Sequence, residues 1–69
     1  MLATYSQNRE TKEWRARVKL DDPFEDFPNE GEKITITKKS GETSERVVGK
    51  KIWDGEDDDG AKVALFALD

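Results

Sequence analysis

The chain contains no cysteine and no histidine. Without thiols there is no disulfide, no thiolate ligand for zinc and no cysteine nucleophile; without imidazole the commonest general base is missing as well. A small domain without disulfides belongs in a reducing compartment, which predicts a cytoplasmic protein. Long apolar runs are also missing. Nothing approaches the roughly 20 residues of a membrane-spanning helix, and the N-terminus has no basic stretch followed by an apolar one, so no membrane association is expected. Apolar residues make up 33% of the 69 positions and charged residues 41%, which predicts a single domain with a thin core under a heavily charged surface. Met1 at its head predicts a complete small product, and so thin a core predicts a domain that gains from a partner.

What is present is strand pattern. Ile34 and Ile36 alternate with Thr35 and Thr37, the period of two expected of a half-buried strand of β-branched residues. Ser40-Gly41 supplies a turn and residues 42–48 return, so the stretch 32–48 reads as a β-hairpin. Residues 13–20 form a second alternating segment, with Trp14, Ala16, Val18 and Leu20 on one face and Arg15, Arg17 and Lys19 on the other. Residues 1–7 read as a first strand or arm, with Leu2 and Tyr5 reaching the core, and 8–12 as a polar turn. Residues 21–32 carry Pro23, Pro28 and Gly31 without periodicity and read as a long loop whose Phe24 and Phe27 fold back onto the core. Gly49 is expected to break the returning strand ahead of a short strand at 50–53, and residues 61–68 to form a closing strand, apolar on both faces. The fold predicted is all-β, a small five- to six-stranded antiparallel barrel of SH3-like type with an OB-like barrel as the alternative. Its core is expected to hold Trp14, Val18, Leu20, Ile34, Ile36, Val47, Ile52, Val63 and Leu65.

The charges are segregated. Asp21, Asp22, Glu25, Asp26, Glu30 and Glu32 lie in one loop, and Asp54, Glu56, Asp57, Asp58 and Asp59 in another. These eleven of the sixteen acids leave five against all twelve Lys and Arg, so a net charge of −4 hides a body with a balance of +7. One reading is a solvated surface that keeps a small domain dispersed. A calcium loop is a poor fit: setting Gly60 at the glycine of an EF-hand puts Gly55 at the first ligand position and Phe66 at the last, so no metal site is predicted. Paired carboxylates for hydrolysis need a cleft and a raised pKa, and these sit in polar loops, so neither a catalytic residue nor a cofactor is predicted. Two binding readings remain. Asp21, Asp22, Glu25, Asp26, Asp54, Glu56, Asp57, Asp58 and Asp59 could occupy a cationic groove on a protein partner, including one that normally holds nucleic acid. Alternatively, Arg15, Arg17 and Lys19, with Lys38, Lys39, Lys50 and Lys51 and a stacking Trp53 or Tyr5, could bind nucleic acid. The apolar last strand offers a second contact or a homodimer edge to an otherwise monomeric chain.

The pattern Trp14-x-x-x-Val18, Gly31-Glu32-x-Ile34-x-Ile36-x-Lys38-Lys39-x-Gly41, then Val47-Val48-x-x-x-Ile52-Trp53-x-Gly55, resembles short all-β modules of phage and bacterial mobile-element proteins. The resemblance spans residues 14–66 and implies a small β module, free-standing or appended to a DNA-transaction protein. It carries over no catalytic residue. With the charge segregation it predicts a non-enzymatic binding protein that docks on a host or phage protein in the host cytoplasm, as a nucleic-acid mimic or an inhibitor of a nucleic-acid-binding enzyme.

Overall fold

A computed structural model describes residues 1–68, and those residues form one all-β sheet of five strands. They are β1 (Leu2–Gln7), β2 (Trp14–Lys19), β3 (Lys33–Thr37), β4 (Thr43–Glu56) and β5 (Lys62–Leu68). The spatial order is β1-β2-β5-β4-β3. All neighbours are antiparallel except β1 and β3, which meet through one parallel bridge, Thr4 opposite Thr37, and so close the sheet on itself. No helix among the described residues is long and apolar enough to cross a membrane.

The hairpin expected at 32–48 is β3 and the first part of β4. Thr37 pairs with Thr43, Lys38 N–H donates to the Glu42 carbonyl at 2.7 Å, and Gly41 takes φ 91°, a conformation that costs a side chain with a Cβ strain. Ile34 and Ile36 face inward, 5% and 0% exposed. Residues facing one another across an antiparallel pair share a side, so Ile34 takes Arg46 and Ile36 takes Ser44 onto the inner face. That register sends Val47, opposite Lys33, outward, and brings Val48 into the core at 0% exposure. The expected core position Val47 is therefore off by one residue, and a one-residue slip changes the face.

Gly49 does not end the strand. Instead β4 runs through it for 14 residues and carries two bulges against β5. Between the pairs Val48/Leu68 and Lys51/Phe66, Gly49 and Lys50 together face Ala67; between Lys51/Phe66 and Trp53/Leu65, Ile52 is the extra residue. Ile52 thus has no cross-strand partner and is 51% exposed, where the alternation had placed it in the core. Trp14 is also outside, 56% exposed, because it stands at the margin of β2 opposite Gln7, beyond the last inward layer. On β1 the inward residues are Ala3 and Tyr5, and Leu2 faces solvent. The core is Ala3, Ala16, Val18, Leu20, Ile34, Ile36, Val48, Ala64 and Phe66, with Tyr5, Phe27 and Leu68 packed against it. Val63 is buried on the sheet as expected, while Leu65 is only half-buried. β5 lies between β2 and β4, so it offers no open backbone edge for a second copy.

The loop 21–32 folds back through Phe27, whose ring centre is 6.1 Å from that of Phe66, and through buried Pro28. Phe24, expected to pack with it, points into water. The register yields a direct test. Ile36→Ala, which empties a fully buried site, is expected to cost roughly 2–4 kcal/mol in denaturant titration, whereas Ile52→Ala should cost under about 1 kcal/mol.

Candidate functional site

The acidic segments divide into carboxylates that hold the fold and carboxylates that face outward. Asp21 and Glu25 approach the Met1 ammonium at 2.8 and 3.2 Å, and that ammonium holds the Asp21 carboxyl below its ordinary pKa. Asp22 accepts the Phe24 N–H at 2.8 Å through its side chain and the Glu25 N–H at 3.0 Å through its carbonyl, fixing the turn on which Phe24 stands. In the β4–β5 turn, Asp57 Oδ1 accepts the N–H groups of Asp59 at 3.0 Å and Ala61 at 2.9 Å, while Oδ2 pairs with Lys19 Nζ at 3.0 Å. The Lys19 ammonium, helped by those two amides, holds the Asp57 carboxyl below its ordinary pKa, and Asp57 in turn raises that of Lys19. Asp54 pairs with Lys51 at 2.8 Å. Asp22, Asp26, Glu56, Asp58 and Asp59 stand exposed. Among the described residues, no three carboxylates are arranged to hold a metal ion.

The loop 21–32 leaves the end of β2 on one side, and the β4–β5 turn reaches the same end from the other through Lys19 and through the Leu20 N–H bond to the Lys62 carbonyl, 2.9 Å. The acidic turn 21–25 and the acidic turn 57–60 therefore flank one strand end. Between Asp22 and Glu25 stands Phe24, 91% exposed. Its exposure overturns the expectation from the sequence, where an aromatic in a loop reads first as a cap on the core.

The cationic face predicted on β2 is assembled but partly spent. Arg15, Arg17 and Lys19 share the outer side, opposite Ala67, Leu65 and Val63 of β5. Trp53 lies opposite Leu65 on the same side. However, Lys19 is bound to Asp57, and Arg15 Nε is buried without a hydrogen-bond partner. The six-membered ring of Trp53 rests on Gly55, within 2.6–2.7 Å of where a Cβ would sit, so it is neither core nor open platform. Lys50 and Lys51 are elsewhere, beside Phe27 and Glu30.

A different constellation gathers at the seam between β1 and β3. Because one bridge alone joins these strands, they part beyond it, leaving a groove of about 810 Å³. Leu2, Thr4, Tyr5, Trp14, Thr37, Lys38, Lys39 and Arg46 line it. Trp14 meets Tyr5 edge to face, with centroids 6.2 Å apart and planes at 81°. The Tyr5 hydroxyl is 2.8 Å from Ser44 Oγ, and that hydrogen bond, with Arg46 nearby, lowers its pKa. Of the nine residues named for nucleic-acid contact, Lys38, Lys39 and Tyr5 are here. Trp14 was missed because its alternation with Ala16 and Val18 reads as core.

Comparison of the chain with protein-family models, with curated proteins and with solved structures gives no match.

The Asp57 contacts set a pH dependence. A carboxyl with a folded-state pKa below its unfolded value contributes stability that is present above the unfolded value, near pH 4, and is lost as pH falls through the folded value. Asp57→Asn is expected to lower stability at neutral pH and to flatten the decline below about pH 4. Asp58→Asn, which touches none of these bonds, should leave neutral-pH stability unchanged. Chemical denaturation across pH 2–7 measures both.

Proposed function

We propose that this chain is a non-enzymatic binding module, a small SH3-like barrel of phage or mobile-element type, that docks on a protein through the end of β2. The observation that supports this reading is Phe24. The hydrogen-bonded turn fixes the backbone that carries this side chain, 91% exposed, so burying it in a partner's pocket contributes apolar area and costs mainly the rotamer freedom of one ring. Asp22 lies in the same turn, and the carboxylates of the turn 57–60 stand at the same end of β2. The partner that fits is a protein with an apolar pocket inside a cationic surface, the kind of surface that handles nucleic acid. Phe24 supplies the anchor in this reading, and the carboxylates supply steering and register.

The test separates the anchor from the steering charge while sparing Asp21, Asp22, Glu25 and Asp57, the carboxylates with the shorter contacts. Capture from bacterial lysate, with identification of the retained protein, is expected to yield a nucleic-acid-handling protein with the parent chain. Phe24→Ala should weaken its retention at least tenfold, and Asp58→Lys with Asp59→Lys should slow association and remove its salt dependence. A protein retained equally by the parent chain, by Phe24→Ala and by the double reversal would sink the docking surface.

A further inference from the structure

The seam groove is separate from that docking surface. Among the described residues its lining includes Lys38 and Lys39, both exposed, with Arg46, which is already engaged, and no carboxylate. The net charge of −4 is a poor guide to its potential. At physiological ionic strength charges are screened over about 8 Å, and the molecule measures 29 × 26 × 25 Å, so the local set governs what binds there. The cationic set also has a continuation, since Thr4 in the groove pairs with Arg17 on the outer side of β2. Two aromatic rings stand among these charges. Tyr5 is held through its hydroxyl by Ser44, and Trp14 is braced against Tyr5 while 56% exposed.

We propose that this groove binds single-stranded nucleic acid, with a base stacked on Trp14 and the backbone phosphates carried by Lys38 and Lys39 at the β3–β4 turn. Each element of the groove fits one part of that ligand. An exposed indole accepts the face of any base, and the lysines accept phosphate without reading sequence, so binding should be sequence-tolerant. A duplex keeps its bases stacked inside and cannot use Trp14. An acidic peptide can satisfy the lysines but has no planar ring to cover the indole by charge alone. The position of Trp14 also has a local cause. Asn8 closes the β1–β2 turn, accepting the Glu10 N–H through its side chain at 2.9 Å and donating its own N–H to the Glu13 carbonyl at 2.8 Å, which fixes the backbone next to the indole.

Fluorescence anisotropy with a labelled oligothymidylate, on the full chain at about 0.05–0.2 M salt, tests the proposal. Binding is expected to weaken with salt along a log–log slope no steeper than about −1.4, as Lys38 and Lys39 allow at about −0.7 per phosphate on a single strand. Trp14→Ala should weaken it at least tenfold, and so should Lys38→Glu with Lys39→Glu, which should also reduce the slope. Lys38 and Lys39 are exposed, so the double reversal should keep the parent denaturation midpoint, and Trp14→Ala, which loses the Tyr5 contact, should keep the parent circular dichroism at a slightly lower midpoint. An abasic strand of equal length should bind at least tenfold more weakly, and Lys50→Glu and Phe24→Ala should bind as the parent does. The proposal is overturned by no binding at micromolar protein, or by affinity unchanged in Trp14→Ala and in the double reversal. Equal affinity for the abasic strand or for a polyglutamate peptide would reduce the groove to a general anion site and overturn it too. Loss of binding in Lys50→Glu would place the ligand elsewhere.

Discussion

β4 has to serve two strands that are not neighbours. Its first half pairs with β3 and its second with β5, so the strand must turn a corner within 14 residues without losing its hydrogen-bond ladder. The two bulges are the means, since each inserts a residue, bends the strand and increases its twist. Gly49 makes the corner possible. A Cβ there would lie 3.1 Å from the Ala67 carbonyl oxygen and 3.3 Å from its Cβ, so a side chain at this point would force Ala67 to shift by a few tenths of an ångström. Once β4 has turned, β3 is carried round to β1 and the sheet can close. Closure is thinnest where it comes last, at the single Thr4–Thr37 bridge, and the groove exists because the seam is thin.

Tight closure also dictates which side chains can be inside. Ala3, Ala16 and Ala64 are at 3%, 0% and 0% exposure, because a narrow sheet of five strands leaves room for few large residues per layer. Bulk comes from Ile36, Val18, Val48 and Phe66. So small a core needs its openings covered, and the cover comes from aromatic side chains with partly polar surroundings. Phe27 packs on Phe66, and Tyr5 packs against the core while its hydroxyl meets Ser44. No polar or charged residue among the described residues is fully buried, so desolvation sets few constraints and apolar packing sets the fold.

Local pattern was enough to read the strands at 14–19, 33–37 and 62–68, the long loop and the turn at Gly41, because each depends on neighbours in sequence. What local pattern could not supply was pairing register. Val47 and Val48 are equally apolar, and only the opposition of Ile34 to Arg46 decides which one faces inward. Gly49 reads as a break unless Ala67 is known to lie beneath it, and Ile52 reads as core unless the bulge is known. The same limit applies to the candidate surfaces. The lysines of the groove were visible as charges, but Trp14 joins them only through the β1–β3 seam, a contact between segments distant in the chain. Phe24 and Phe27 are three residues apart with opposite fates, and the difference is the Asp22 turn that directs one outward and the Phe66 ring that receives the other.

Segregated charge has a structural role before it has a binding role. Lys19 lies at the end of a cationic strand, and Asp57 draws it across the strand end to tie β2 to the β4–β5 turn. Asp21 and Glu25 gather the Met1 ammonium in the same way at the other side of that end. Asp26, Glu56 and Asp58 remain exposed outside these contacts, while exposed Asp22 also holds the Phe24 turn. An overall charge count therefore misdescribes both surfaces. It overstates the acidity available near Phe24, where three carboxylates are already engaged, and it conceals the local excess of cations at the seam. With screening over about 8 Å, a chain of net charge −4 can present an acidic strand end and a cationic groove on one small sheet.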